Sequence, residues 1–305
     1  MPTMSQPAQS GPTNWIQVDP SAFRRDVNQR TFGLTHSLDS HPSFALPKLM
    51  ELAERTLESR PGDLRYDLGD IKVDQRWENV PERKLSAMQA LQNIEKAGAW
   101  LVLFNANADP EYRPMIDQTL GQIKAAMGGN IQSQISKEEI IIFISSPRRV
   151  TPYHIDRECN FLLQIQGTKT VYVFDRDDRD ILTEEELERY WTVTDKQPTY
   201  RKELQNRAVA YKFAPGNGCH IPVNCPHWVE NDDNVSVSVS INFQYKDRLR
   251  ADAYRANYLL RRIGLTPTPP GRSRLADTMK SLVAPPATRA AIRMMEWRHK
   301  SKANT

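Results

Sequence analysis

Three side chains suited to binding a transition metal stand in two separate stretches of the chain. His154 and Asp156 form a His-x-Asp pair, and His227 follows later in the sequence. Two imidazoles and one carboxylate can hold one face of iron(II) and leave the opposite face open for chemistry. If the pair lies on one extended strand, positions i and i+2 point to the same side, so both side chains can reach one ion. The sequence therefore predicts a mononuclear iron(II) site at His154, Asp156 and His227.

The third ligand has to come from a strand that folding brings alongside the first two. A Gly-rich turn at 215–218 and a short apolar run at 219–223 precede His227 and predict a turn, a strand and a loop. By itself His-x-Asp is a weak signal, because a surface loop can also carry these two residues. The prediction therefore depends on what surrounds the motif.

Two further residues suggest a bound dicarboxylate. An iron(II) site that activates dioxygen needs a two-electron donor, most often 2-oxoglutarate, whose far carboxylate requires a cation and a hydroxyl. Lys169 begins a predicted strand after Gly167, and a lysine inside a barrel is costly unless an anion meets it. Thr151, three residues before His154, could donate its hydroxyl to the same carboxylate. The simpler alternatives are a surface lysine on a hairpin and a threonine at a strand edge.

The elements that position these residues change character along the chain. Apolar residues at helical spacing predict helices at about 47–60, 86–97 and 111–127, with a buried strand at 99–104 between the second and the third. Strands are predicted at 140–146, 161–165, 170–174, 208–213, 219–223 and 235–243, and an acidic helix at 184–190. Many short strands with few intervening helices predict a mostly β fold with flanking α-helices, built around an antiparallel barrel or sandwich.

Four segments follow from this pattern. Residues 1–20 are rich in Pro, Ser, Gln and Thr and predict a flexible leader. Residues 21–137 form an N-terminal α/β part, residues 138–247 the β core, and residues 248–305 a helical extension interrupted by a Pro-rich linker at 265–271. The last predicted helix, at 287–300, is basic, which favours a solvated or self-associating helix over nucleic-acid binding.

Composition excludes several classes of protein. The 305 residues, 39% of them hydrophobic, suit a globular domain with a sizeable core. No apolar run is long enough to cross a bilayer, and the start of the chain has no signal-peptide pattern, so we expect a cytoplasmic protein. Three cysteines without a Cys-x-x-Cys pair predict reduced thiols, and a net charge of +4 specifies no partner.

The stretch from His154 to Lys169 resembles the cupin-type, Jumonji-C-related 2-oxoglutarate oxygenases, and within them the asparaginyl hydroxylases. His-x-Asp, Asn160, Gln-Ile-x-Gly at 164–167 and Lys169 all match the family pattern. A second block agrees over 215–246. The resemblance, which covers about residues 140 to 246, implies a double-stranded β-helix (jelly-roll) core.

The resemblance also implies roles for individual residues. His154, Asp156 and His227 would bind Fe(II), and Lys169 and Thr151 the distal carboxylate of the cosubstrate 2-oxoglutarate. Asn160 and Asn242 would approach its metal-binding end. A homodimer through the C-terminal helices is implied by position only.

Departures from the pattern concern the substrate. Gln244 stands where the asparaginyl hydroxylases carry Trp, a cosubstrate-contacting Tyr has no counterpart that aligns, and Arg157 and Glu158 flank the metal motif with charges of this chain's own. The expected activity is a dioxygenase that hydroxylates a carbon of a peptide, protein or small-molecule substrate. Two alternatives stay open: a non-catalytic cupin-like regulator that binds a small ligand, and a zinc- or manganese-dependent cupin isomerase.

Overall fold

Twelve strands form the central part of the protein. The computed structural model describes residues 14–79, 84–193, 195 and 197–282. Within these ranges the strands are β1 (Ile16–Gln17), β2 (Phe32–His36), β3 (Leu64–Leu68), β4 (Ala99–Phe104), β5 (Ile135–Ser145), β6 (Val150–His154), β7 (Cys159–Gln166), β8 (Lys169–Val173), β9 (Val209–Phe213), β10 (Asn217–Ile221), β11 (His227–Asn231) and β12 (Ser236–Tyr245).

The strands pair into two antiparallel sheets. The larger has the order β1-β2-β10-β7-β12-β5-β4-β3, and the smaller has the order β6-β11-β8-β9. Strands β5, β12, β7 and β10 of the first sheet, together with the four strands of the second, make an eight-stranded jelly roll. The double-stranded β-helix predicted from the sequence is confirmed.

Helices pack on the outer face of each of the two sheets. They are α1 (Pro20–Asp26), α2 (Leu46–Ser59), α3 (Ala87–Gln92), α4 (Arg113–Met127), α5 (Gly129–Gln132), α6 (Glu184–Val193) and α7 (Arg248–Arg262), with a further helix at 274–282. Apolar residues of α2, α3 and α4 join one core cluster with Ile140, Ile142 and Ile144 of β5. No helix in the described ranges is both long and apolar enough to span a bilayer.

Strand β12 shows how the two faces of the larger sheet differ. Its Val237, Val239 and Ile241 join the core cluster that contains the helices. Ser238 and Ser240 point the other way and are equally buried. Both faces of β12 are therefore buried. The apolar residues face the helices, and the small polar residues face the interior of the jelly roll.

Some element boundaries differ from the sequence-based expectation. The helix expected at 86–97 ends at Gln92, because the next residue, Asn93, has non-helical dihedral angles (φ −110°, ψ 27°). Residues 14–20, assigned to the leader from composition, contain β1, which pairs with β2, and the start of α1. The leader residues 1–13 and the basic helix expected at 287–300 lie outside the described residues.

A glycine turn places the strand that carries Lys169. Gly167 lies between β7 and β8 with φ +75°, and a Cβ atom there would overlap Asn234 Oδ1 and the carbonyl oxygen of Val235. Asn234 Oδ1 also accepts a hydrogen bond of 2.8 Å from the backbone N–H of Thr168. The turn therefore leaves no room for a side chain at Gly167, and β8 begins two residues after it, at Lys169.

A buried ion pair joins the N-terminal part to the jelly roll. Arg149, just before β6, donates from Nη2 to Asp67 Oδ1 on β3 and from Nη1 to the carbonyl oxygens of Gly69 and Gly98. Both side chains of the pair are almost fully buried. This clamp holds the end of β3 and the start of β4 against the strand that leads to His154.

Candidate active site

The structure brings His154, Asp156 and His227 together at one end of the smaller sheet. Nε2 of His154 lies 3.5 Å from Asp156 Oδ2, and Nε2 of His227 lies 3.6 Å from the same oxygen. Ligand atoms bound at about 2.1 Å and at right angles around one ion are about 3 Å apart. The three side chains therefore fit one metal ion with only small adjustments.

The backbone orients both imidazoles in the same way. Nδ1 of His154 lies 2.7 Å from the carbonyl oxygen of Pro152, and Nδ1 of His227 lies 3.0 Å from that of Cys225. A proton on Nδ1, donated to the carbonyl, leaves Nε2 of each ring free to bind a metal. Both rings are buried, so these hydrogen bonds fix the ring orientation.

Asp156 reaches the site from a loop and not from a strand. The sequence argument placed it on one strand with His154, but β6 ends at His154 and Asp156 lies two residues beyond it. Its carbonyl oxygen accepts a hydrogen bond of 2.9 Å from the N–H of Asn224, which adopts a left-handed conformation in the loop before His227. Trp191 Nε1 donates to Asn224 Oδ1 at 3.1 Å. The two ligand-bearing loops are thus tied to each other and to α6.

A cavity of about 270 Å³ opens between the two sheets beside these ligands. All seven residues selected from the sequence line it: Thr151, His154, Asp156, Asn160, Lys169, His227 and Asn242. Aromatic side chains form part of the same wall. Trp77 lies edge-on to His154 with ring centroids 6.1 Å apart, and Trp100 stacks on Phe143 at 5.7 Å.

Lys169 is the buried cation of this cavity. Its side chain is only 5% exposed, and its Nζ donates to the hydroxyl of Ser238 on the opposite sheet. Among the described residues no carboxylate lies within ion-pair distance of it. Burial lowers the pKa of Lys169 to about 7. A buried amine whose hydrogen-bond partner is a hydroxyl could take an anion as its counter-charge.

Several polar contacts of the site were not predicted from the sequence. The hydroxyl of Ser238 donates a hydrogen bond of 2.7 Å to Gln164 Oε1, so a hydroxyl and an amide support Lys169. Gln244 Nε2 donates to Glu158 Oε1, and Glu158 also lines the cavity. Single serine and glutamine residues have no spacing signal that marks them. Only the strand register of β12 with β7 shows that they meet.

His220 is not a fourth ligand. Its Nδ1 lies 3.0 Å from the carbonyl oxygen of Asn160, and its Nε2 accepts a hydrogen bond of 2.8 Å from the N–H of Asn28. Burial lowers the pKa of His220 to about 3, so the ring is neutral. It stacks on Phe161 and supports the strand that carries Asn160.

The family model described as a cupin-like domain matches residues 52–249. The chain belongs to the cupin-like domain family. Among solved structures, Escherichia coli YcfD is similar in fold at 13% sequence identity, with a TM-score of 0.53 over 88% of this chain and 67% of that one.

Two further structures give weaker similarity to this cupin-like chain. The E. coli ribosomal oxygenase YcfD in complex with cobalt and 2-oxoglutarate has 16% identity and a TM-score of 0.49 over 90% of this chain and 69% of that one. A Pseudomonas putida prolyl-4-hydroxylase has 11% identity and a TM-score of 0.41 over 74% of this chain and 99% of its own.

Proposed function

We propose that this protein is an Fe(II)- and 2-oxoglutarate-dependent dioxygenase that hydroxylates a carbon centre of a peptide, protein or small-molecule substrate. One observation carries the proposal. A single cavity contains both a two-histidine, one-carboxylate ligand set and, at Lys169, a buried ammonium group with a hydroxyl as its partner. A ligand that binds the metal and also carries a distant carboxylate would satisfy both.

The reaction balances with one molecule of each reactant. Substrate R–H, dioxygen and 2-oxoglutarate give R–OH, succinate and carbon dioxide, so one oxygen atom enters the substrate and the other enters succinate. Iron(II) bound by the triad would supply the redox chemistry. The protein supplies fixed ligands, an anion site and an enclosed cavity.

Individual residues have distinct tasks in this proposal. Lys169 pairs with the distal carboxylate of 2-oxoglutarate, and Thr151 donates its hydroxyl to the same group. Asn160 and Asn242, paired neighbours on β7 and β12, lie on the cavity wall and approach its metal-binding end. Residues 138–247 would then be the catalytic core, and the segments before and after it would support the core.

The finer resemblance, to the asparaginyl hydroxylase called factor inhibiting hypoxia-inducible factor, depends on the sequence blocks alone. The solved structures described above include no asparaginyl hydroxylase of that name. Because of this sequence resemblance, an asparagine side chain of a peptide is one candidate substrate. Demethylation of N-methyl-lysine and hydroxylation of a natural product are others.

The decisive assay measures succinate formed from 2-oxoglutarate by protein reconstituted with Fe(II) in air, against a screen of peptides and small molecules. We expect Fe(II)-dependent succinate formation that Asp156→Ala abolishes. Wild-type protein that forms no more succinate than Asp156→Ala, although it binds metal and 2-oxoglutarate, would overturn the enzyme in favour of the regulator. A metal content of zinc or manganese after anaerobic purification, with no 2-oxoglutarate binding, would favour the isomerase.

We also propose that the C-terminal helices mediate a homodimer. Leu275, Met279 and Leu282 are spaced along one face of the 274–282 helix and are 76%, 61% and 72% exposed. A row of exposed apolar side chains along one face of a helix is typical of a protein–protein interface. Sedimentation should give a dimer for the wild type and a monomer when all three become serine, and a monomeric wild type would disprove it.

A further inference from the structure

Of the three proposed metal ligands, only Asp156 lies outside a strand. Its side chain is 27% exposed, whereas those of His154 and His227 are 9% and 6% exposed. A carboxylate on a loop has more conformations available than a ring held between strands, and it must give them up when it binds a metal. The groups that hold this loop therefore affect the affinity for the metal.

The backbone of Asp156 is held by Asn224. The carbonyl oxygen of Asp156 accepts a hydrogen bond of 2.9 Å from the N–H of Asn224. Asn224 is 6% exposed and has φ +64°, a left-handed conformation that asparagine adopts more readily than most residues. Because the bonded carbonyl group is attached to the Cα of Asp156, the hydrogen bond restricts the direction in which the carboxylate projects.

A side-chain hydrogen bond supports Asn224 from α6. Trp191, near the end of α6, donates from Nε1 to Asn224 Oδ1 at 3.1 Å. An indole has a single N–H donor with a fixed direction, so this bond forms only when the ring keeps its position. Trp191 thereby connects α6 to the loop that precedes His227 and, through Asn224, to Asp156.

The residue after Asp156 contacts the same end of α6. The guanidinium group of Arg157 lies over the rings of Tyr190 and Trp191, 4.8 and 5.1 Å from their centroids. Its Nη2 also donates to the carbonyl oxygen of Tyr190. Such stacking is most favourable where the groups are shielded from water. The sequence marks Arg157 as a departure from the family pattern, and neither the metal nor the cosubstrate needs it.

Helix α7 holds the indole ring from the other side. Tyr254 of α7 is 5% exposed and stacks on Trp191 with ring centroids 5.9 Å apart and an interplanar angle of 11°. Arg255 Nε donates to the carbonyl oxygen of Trp191 at 3.3 Å. Arg261 pairs at 2.7 Å with Glu188 of α6, whose side chain is 1% exposed. Trp191 is therefore fixed by a helix that follows the jelly roll in the chain.

We propose that Trp191, Asn224 and Arg157 are positioning residues for Asp156, and that α7 supports the metal centre by holding Trp191 in place. The inference rests on the proposed function only in taking Asp156 as a metal ligand. It gives the first helix of the C-terminal extension a role in the site, although no residue of α7 lines the cavity.

The test measures the affinity of the whole chain for Mn(II) and Co(II) by titration calorimetry under nitrogen, so no substrate is needed. Trp191→Phe removes the indole N–H and keeps an aromatic ring against Tyr254. We expect it to bind each ion about tenfold more weakly, the lower end of the range for loss of a group that supports a metal ligand. The matched control Trp228→Phe removes an indole N–H that donates to Gln205 Oε1 at 3.1 Å, and it should bind as the wild type does.

A double-mutant cycle shows whether one hydrogen bond carries the effect. Asn224→Gly keeps the left-handed backbone accessible and removes the Oδ1 acceptor. It should weaken binding at least as much as Trp191→Phe does. The double variant should be no weaker than Asn224→Gly alone, because both changes remove the same bond. The visible absorption of bound Co(II), which reports the ligand geometry, should change in Trp191→Phe and stay unchanged in Trp228→Phe.

Two tyrosines of α7 separate support of the site from stability of the helix. Tyr254→Leu removes the ring that stacks on Trp191 and should weaken Co(II) binding about two- to tenfold, the range for loss of an aromatic pair. Tyr258→Leu changes a tyrosine on the same helix whose hydroxyl accepts a hydrogen bond from Arg262, and it should keep the wild-type affinity. Circular dichroism confirms that each variant is folded at the temperature of the titration.

Three results would overturn the inference. They are wild-type affinity in Trp191→Phe, equal losses in Trp191→Phe and Trp228→Phe, and losses that multiply in the double variant. Wild-type affinity in Tyr254→Leu would overturn the role of α7. Failure of the proposed function is recognised separately, because Asp156→Ala would then bind both ions as the wild type does, and both proposals would fall.

Discussion

His154 and His227 lie directly opposite each other on neighbouring strands, with ring centroids 4.1 Å apart. Each ring points its Nδ1 at the carbonyl oxygen two residues earlier in the chain. The two strands therefore present a matched pair of Nε2 atoms without help from other side chains. Only the carboxylate has to be brought in by a loop.

This pairing predicts the effect of removing a ligand. His227→Ala or Asp156→Ala should weaken binding of Mn(II) or Co(II) by at least about 100-fold, because even loss of a supporting group around a metal ligand costs about 10- to 100-fold. Titration calorimetry under nitrogen measures the affinity. His41→Ala, which removes an imidazole outside the cavity, should bind as the wild type does. Retained affinity in both ligand variants would show that the metal binds elsewhere.

Replacement of Lys169 should separate cosubstrate binding from folding. Lys169→Met removes the buried ammonium and should weaken 2-oxoglutarate binding by about 10- to 100-fold, the range for a hydrogen bond to a charged group. The melting temperature at pH 7 should not fall, since methionine removes the cost of burying the amine. The control Lys212→Met changes an exposed lysine on β9. Unchanged 2-oxoglutarate affinity in Lys169→Met would contradict the assigned anion site.

The lowered pKa of Lys169, about 7, predicts a pH dependence of cosubstrate binding. Below this value the amine is already charged and can pair with the carboxylate. Above it, binding must take up a proton, so the affinity should fall by up to tenfold for each pH unit. Calorimetry at pH 6.5, 7.5 and 8.5 with saturating Mn(II), in buffers of different ionisation enthalpy, measures both affinity and proton uptake. Lys169→Met should show no such uptake.

The clamp between Asp67 and Arg149 predicts a stability effect away from the chemistry. Asp67→Ala leaves the buried guanidinium of Arg149 without its counter-charge and should lower the free energy of unfolding by about 3–5 kcal/mol. Urea denaturation followed by circular dichroism measures it. The double variant Asp67→Leu, Arg149→Met should recover most of the loss, because apolar side chains of similar size can replace a buried pair. A double variant as unstable as the single one would argue against this account.

Local patterns predicted many of the strands and helices and selected the candidate site residues, but they did not predict β1, β2 or β3. The strand Ala99–Phe104 and the end of α4 at Gly128 follow from an apolar run and a helix-terminating glycine. Sequence motifs selected seven of the residues that line the cavity, because together these residues match one family pattern, although each motif alone had a simpler explanation. What they could not give was the loop position of Asp156.

Tertiary structure alone decided which polar residues meet inside the jelly roll. Ser238 lies 69 positions after Lys169 in the chain, and Gln244 lies 86 after Glu158, yet each pair is hydrogen-bonded. No periodicity within one strand encodes such contacts, because they depend on the register between strands and on how the two sheets close. The sequence by itself therefore determined the chemistry available to this protein. The fold decided how Lys169 is supported and that Gln244 meets Glu158.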